Sequence, residues 1–258
     1  MSIDFDLSPE GIATVTINRP EAMNSLDADH YKALSDAWIE VRDNRDVRVA
    51  IVTGAGDKSF CAGADLKSVV TVQPEWADNW LTQRDQLLNR GLEVWKPVIA
   101  AVNGYCLGGG VTLLYGTDLR VAAEGASFGL SEVKRGIIAA NGGTQRTLKQ
   151  LPYCLGMEFL LTGDRIDAET ALSWGLINKV VPQAELMDAA MDYAARIAAN
   201  APLAVQAAKE LAVRSLDMDL VTGLRMEAMV SRTLRETEDA KEGPRAFREK
   251  RTPEFKGR

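Results

Sequence analysis

At 258 residues, with 30 Lys and Arg against 36 Asp and Glu, the chain carries a net charge of −6. No basic block stands out before the tail, so nucleic acid is excluded as a main partner; a local basic pocket for one phosphorylated ligand is not. A chain of this length buries roughly 70–75% of its unfolded surface and needs neither disulfides nor a structural metal to fold, and Cys61, Cys106 and Cys154 are too widely spaced to supply either.

Met1-Ser-Ile-Asp-Phe-Asp is acidic and lacks the basic and apolar regions of a secretory signal. The longest apolar runs fall far below the roughly 20 residues that span a bilayer. A soluble, cytoplasmic protein without membrane contact is expected. The one histidine, His30, is expected at the surface of an amphipathic helix. Ser-His-Asp, Cys-His and multi-His metal chemistries therefore lack support, and acid–base work falls to carboxylates.

In chain order, Ile12–Ile17 alternates as a strand and Asn18-Arg-Pro-Glu is a turn. Asp27–Asp43 reads as a helix with Tyr31, Leu34, Trp38 and Val41 on one face and Asp27 as its N-cap. Val47–Gly54 is a buried strand leading into a loop with Gly54, Gly56 and Gly63. A helix is expected to begin at Leu66, and another over Pro74–Trp95, with Trp76, Trp80, Leu87, Leu88 and Trp95 as its core stripe. Val98–Val102 is a second buried strand after Pro97; Asn103-Gly104 turns, and Gly108-Gly109-Gly110 precedes a short buried helix. A short strand at Leu119–Ala122 follows, then helices over Thr144–Leu151, Leu155–Leu161 and Ile166–Trp174, the last closed by Gly175. A regular i, i+3, i+4 pattern runs from Leu186 to Ala198, and the chain beyond residue 200 is almost wholly helical. We expect a core over residues 1–200 and a helical region over 201–258.

One unit repeats. V-A-I-V-T-G…F-C-A-G-A-D-L-K and V-I-A-A-V-N-G-Y-C-L-G-G-G-V-T are each a buried strand, a glycine loop and an expected helix. Such units build either a doubly wound sheet or a spiral of stacked turns. Two glycine loops after buried strands can aim two backbone N–H groups at one point, the geometry of an oxyanion hole. There is no G-K-[ST] of a P-loop and no G-x-G-x-x-G at 104–113, and Ser131-Glu-Val-Lys134 lacks the companion motifs of a serine–lysine acylase. Cys61 and Cys106, flanking both loops, read as small buried thiols. Asp118 and Glu124 read as structural.

F-C-A-G-A-D-L-K (60–67), P-V-I-A-A-V-N-G-Y-C-L-G-G-G (97–110), F-G-L-S-E (128–132), G-G-T-Q-R (142–146), L-L-T-G-D-R-I (160–166) and the tail E-G-P-R-A-F-R-E-K-R-T-P-E-F-K-G (242–257) occur in that order. Together they resemble the enoyl-CoA hydratase/isomerase (crotonase) superfamily over essentially the whole chain. The resemblance implies an α/β fold, a crotonase-like spiral of ββα units, with a C-terminal helical region that builds trimers, often paired into hexamers. It implies a coenzyme A thioester as substrate, with no metal and no further cofactor. The backbone N–H groups of Ala64 and Gly109 would hold the thioester carbonyl, and Glu132 would be the proton-transfer residue. Asn24, Ser25, Leu26, Ala62, Asp65 and Leu66 would edge the CoA pocket, with a helix N-cap as the other reading of Asp65. Tyr105, Leu107, Gly108, Thr112 and Ala140 complete the expected substrate-binding set.

The chain departs from the family where its hydratases carry a first catalytic glutamate, because Thr112 stands there, and at Ala139-Ala140-Asn141, where many relatives have a Pro- and Gly-containing loop. A hydroxyl cannot take a proton from water at neutral pH. One carboxylate suffices for a 1,3-proton shift, so double-bond isomerisation is the favoured expectation. Hydration or a related lyase reaction with Thr112 positioning water is the alternative. A catalytically weak CoA-ester binder is the reading from another class.

Overall fold

The computed structural model describes residues 3–65 and 86–258. The helix expected from Leu66, the Trp76 and Trp80 part of the apolar stripe, and Leu66 itself lie outside the described residues.

Among the described residues the strands form two sheets. The larger has the order β1-β2-β3-β5-β7-β10, made of Ile3–Leu7, Ile12–Ile17, Val49–Gly54, Val98–Val102, Leu119–Ala123 and Lys179–Val181. The first pair is antiparallel and the rest of the ladder is parallel. The smaller sheet has the order β4-β6-β8-β9, from Ser59–Cys61, Tyr105–Leu107, Ser127–Gly129 and Arg165–Asp167. Successive turns of chain thus lay one strand in each sheet: β3 then β4, β5 then β6, β7 then β8. Of the two architectures open to the repeat, this is the spiral.

The strands that read as continuous apolar runs are covered on both faces, as parallel sheets require. Ala50, Val52, Val98, Ala100 and Val102 enter one core together with Leu34, Trp38 and Val41 of α1 (Ala28–Asp43). Val49, Ile51, Ile99 and Ala101 enter a second core with Leu186, Ala190, Ala194 and Ala198 of a helix over Leu186–Ala198. Three alanines on that face let the helix lie close to the sheet. Each buried Ile or Val contributes roughly 1.5–3 kcal/mol relative to exposure.

Asp27 caps α1 as expected, its carboxylate accepting from the His30 N–H at 3.0 Å. His30 is not a surface residue. It is buried, with Nδ1 2.6 Å from Asp27 Oδ1, because the cap carboxylate that closes the first turn also partners the imidazole three residues on. Leu87, Leu88 and Trp95 are not helical either. Turns bonded back to the Leu87 carbonyl occupy 87–92, and Gly91 at φ +93° carries the chain out of any helical path. Ile166, read as helical, lies in β9 against Phe128; the helix behind it runs Ala168–Ser173, capped by Asp167.

Beyond residue 200 the chain runs through helices at Pro202–Arg214, Leu220–Arg235 and Glu238–Glu249. The last segment is tied back onto the rest of the protein. Arg48 donates to the carbonyls of Ala198 (2.9 Å) and Phe255 (2.7 Å), and the Asp239 carboxylate accepts from the N–H groups of Lys256 and Gly257.

Candidate active site

The two glycine loops follow β4 and β6, adjacent strands of the smaller sheet. Leu26 makes a parallel bridge with Ala64, donating to the Gly63 carbonyl at 2.8 Å and accepting from the Asp65 N–H at 2.9 Å. In such a bridge the intervening residue turns its own N–H the other way, so the Ala64 N–H points away from Leu26. Gly109 is the first residue of α2 (Gly109–Leu114), and its N–H is one of the donors a helix leaves unpaired at its start. Neither N–H has a hydrogen-bond partner among the described residues.

The loops touch through backbone. A methyl on Gly63, at φ +93°, would lie 2.9 Å from the Gly109 nitrogen and 3.0 Å from the Leu107 carbonyl oxygen. A methyl on Gly109 would lie 3.2 Å from the Gly63 Cα and 3.4 Å from the Ala64 nitrogen. One on Gly110 would overlap the Cys61 carbonyl at 2.2 Å. The glycines are there because no Cβ fits between the two chains, which brings the Ala64 and Gly109 N–H groups into one neighbourhood.

Glu132 reaches the same place. It opens a 3₁₀ helix over Glu132–Arg135, directly after β8, which lies beside β6. Its Oε1 lies 3.2 Å from where a Cβ on Gly108 would stand, so a side chain there would crowd the carboxylate, and Gly108 itself sits at φ +52°. Its Oε2 is buried with no hydrogen-bond partner. Burial pushes the Glu132 carboxyl above the ordinary range, opposed by its own backbone N–H and by Arg135. A half-desolvated carboxyl with one idle oxygen beside two idle N–H donors is equipped to move a proton next to a developing oxyanion.

Thr112 lies one turn along α2. It is buried, its hydroxyl donating to the Gly109 carbonyl at 3.0 Å and accepting from Asn89 Nδ2 at 2.9 Å. Asn89 was not visible in the sequence as a site residue. It is an isolated polar residue, and its contact with Thr112 spans 23 positions.

The remaining candidates divide. Leu26 and Ala62 frame the first loop, Ala62 by donating to the Met23 carbonyl at 3.1 Å. Asn24 is fully buried at φ +54° and all its side-chain bonds are internal: it accepts from the Arg19 N–H and donates to the Ala55 and Ser59 carbonyls. Its side chain ties the loops together. Asp65 pairs with Arg19 at 3.0 Å, while the Ser25 carbonyl accepts from the same guanidinium at 3.3 Å; the helix that its N-cap reading concerns lies outside the described residues. Tyr105 is exposed beneath the Arg165 guanidinium, 5.2 Å from its ring centre. Leu107 lines the approach between Gly63 and Gly129, and Ala140 is exposed with its carbonyl bonded to the Gly143 N–H. Cys61 and Cys106 are buried, and burial pushes the Cys61 thiol up to about 12 and Cys106 in the same direction, so neither is a nucleophile near neutrality. Asp118 accepts from the Val98 N–H at 2.7 Å, a structural role at the start of β5. Among the described residues no group of three or more His, Cys, Asp or Glu side chains could hold a metal ion, and no helix is long and apolar enough to cross a membrane.

Comparison with known proteins agrees with this geometry. The family model described as enoyl-CoA hydratase/isomerase matches residues 8–258. The chain is 46% identical over 246 residues to (E)-benzylidenesuccinyl-CoA hydratase of Thauera aromatica, covering 95% of this chain and 96% of that protein. It is 42% identical over 263 residues to carnitinyl-CoA dehydratase of Salmonella enteritidis, covering 100% of both. Among solved structures, the enoyl-CoA hydratase of Bacillus anthracis superposes with a TM-score of 0.93 at 38% identity over 100% of both chains. The enoyl-CoA hydratase of Mycobacterium tuberculosis H37Rv gives 0.92 at 36% identity, over 100% of this chain and 99% of that one. With the spiral of paired strands and the two converging glycine loops, these matches establish that the chain belongs to the enoyl-CoA hydratase/isomerase family.

Proposed function

We propose that the protein adds water across the α,β-double bond of a CoA thioester, or forms that bond by removing water from the 3-hydroxyacyl thioester, through an enolate held by the backbone N–H groups of Ala64 and Gly109. The observation that carries this reading is Glu132, with one oxygen against Gly108 and the other buried and unpartnered. In hydration a water oxygen bonds to the β-carbon and its proton passes to the Glu132 carboxylate. The double-bond electrons move toward the thioester oxygen. The enolate then takes the proton back from Glu132 at the α-carbon, so one carboxylate serves twice and is regenerated. The two relatives above, a hydratase and a dehydratase, support water chemistry over the isomerisation that a lone glutamate first suggests.

Isomerisation stays as the second reading for one reason: the Thr112 hydroxyl already donates to the Gly109 carbonyl and has no proton left for a water. Incubating the enzyme with a panel of enoyl-CoAs and identifying products by mass spectrometry separates the two. A 3-hydroxyacyl-CoA lost in Glu132→Gln supports hydration; a migrated double bond with no mass gain supports the shift. Binding without turnover would leave only a CoA-ester binder. Exposed Leu216, Leu220, Val221, Leu224 and Met229 on the C-terminal helices support assembly into trimers through residues 201–258.

A further inference from the structure

We infer that Asn89 is the second polar group of the site and positions the reacting water through its side-chain oxygen. Asn89 is 6% exposed. Its amide orientation follows from the bonds around it: Thr112 spends its only hydroxyl proton on the Gly109 carbonyl at 3.0 Å, so the Asn89 amide must meet Thr112 with its NH2, at 2.9 Å. Oδ1 is thereby turned away, buried and without a partner. A buried amide oxygen with no donor is destabilising, because it has given up its water without gaining a partner. A chain keeps such a group where a ligand completes it.

What would complete it follows from where it sits. Gly108 and Thr112 are four residues apart across one helical turn, whose backbone bond runs from the Thr112 N–H to the Gly108 carbonyl at 3.1 Å. Gly108 is the N-cap of α2 and Thr112 lies in its first turn, so both sit at the same end of the helix. Glu132 abuts the Gly108 end of that turn through Oε1, which leaves Oε2 without a partner, and Asn89 meets the Thr112 end through its NH2. Each brings one buried oxygen that lacks a donor, and these two are the carboxylate and amide oxygens in that condition among the described residues. A water has two O–H groups to give. One directed to Asn89 Oδ1 and one to Glu132 leave an oxygen lone pair for the β-carbon. The water proton goes to Glu132, and Asn89 changes no covalent bond. Asn89 can orient a water but takes no proton, so a single acid–base group suffices. The Asn89 backbone carbonyl accepts from Arg146 at 3.0 Å, which pins the residue from its other side.

This role rests on the hydration proposed above, and the test keeps the two apart. Two rates are compared on the same preparations: formation of 3-hydroxyacyl-CoA from an enoyl-CoA, and exchange of α-protons of a saturated acyl-CoA in D2O, which needs Glu132 and the N–H donors but no water at the β-carbon. Asn89→Ala is expected to lower hydration about 100-fold more than exchange, the scale on which mispositioned reactants lose rate. A merely structural role would lower both together, and an unchanged ratio overturns the assignment. Thr112→Val, nearly the same shape, releases the amide and should lower the same ratio; if it folds and keeps the ratio, the assignment fails even where Asn89→Ala does not fold. A wild-type enzyme that exchanges α-protons yet hydrates nothing overturns the hydration reading, and the role of Asn89 with it.

Discussion

Gly63→Ala is the substitution on which the two-loop geometry makes its sharpest demand. Gly63 has φ +93°, and an added methyl meets two backbone atoms, the Gly109 nitrogen at 2.9 Å and the Leu107 oxygen at 3.0 Å. Neither can swing aside as a side-chain tip would, so the loops must part. Gly175 supplies the control: at φ +76° it has nothing within 4 Å of its methyl position and lies outside the site. Gly175→Ala therefore carries left-handed strain alone, about 1–2 kcal/mol, and each kcal/mol lowers Tm by about 2–4 °C in a chain of this size. Gly63→Ala carries that strain plus displacement of the two N–H donors, and losing one such donor costs about 10²–10³ in kcat, or about 2.7–4 kcal/mol of barrier. Thermal melts and steady-state kinetics on both variants separate these terms. Gly175→Ala should melt lower with near wild-type kcat, and Gly63→Ala should lose kcat by the larger factor. A folded Gly63→Ala enzyme as active as Gly175→Ala would refute the convergence of the loops as the source of activity.

Other expectations concern charge. Burial raises the Glu132 carboxyl, so the native state holds that proton more tightly than the unfolded chain. Stability from this group therefore falls as pH rises from about 4.3 through the folded value, while activity, which needs the carboxylate, rises. The acid limb of the rate profile should lie above about pH 4.3, and Glu132→Gln should remove that part of the stability loss while abolishing turnover; an acid limb in the ordinary carboxylate range contradicts this. Glu242 is the opposite case. Its carboxylate accepts from Arg251 at 2.5 Å and from the Glu254 N–H at 3.0 Å, with Arg245 a further partner, and these hold it far below the usual range. Its stabilisation is complete above about pH 4.3 and fades as pH falls. Glu242→Gln should lower Tm at neutral pH, with the gap to wild type narrowing under acid; a pH-independent gap would show that shape rather than charge holds the tail.

Much of the frame was legible because burial on both faces writes long apolar runs. Ile12–Ile17 and Val98–Val102 are strands with the bounds read from sequence, and Asp27 announces its helix by the chemistry of its cap. The smaller sheet was less legible: its strands are three residues long, too short for a period to register. Hence Ile166 reads as helical when it is paired with Phe128. His30 misled for a different reason, since an amphipathic pattern does not reveal that a cap carboxylate will draw the ring inward. The glycine loops and Glu132 could be named from their motifs. Asn89 could not, because its significance lies in a bond to Thr112 and in an oxygen left without one, and neither leaves a local pattern.

The central claim is that Glu132 moves a proton at a carbon whose enolate is held by Ala64 and Gly109. The most direct measurement is deuterium uptake at the α-carbon of a saturated acyl-CoA in D2O, for the wild type and Glu132→Gln. The account predicts uptake by the wild type, and a fall of at least about 100-fold in the variant, the lower end of what a positioned acid–base group supplies. Equal uptake by a correctly folded Glu132→Gln enzyme would contradict it.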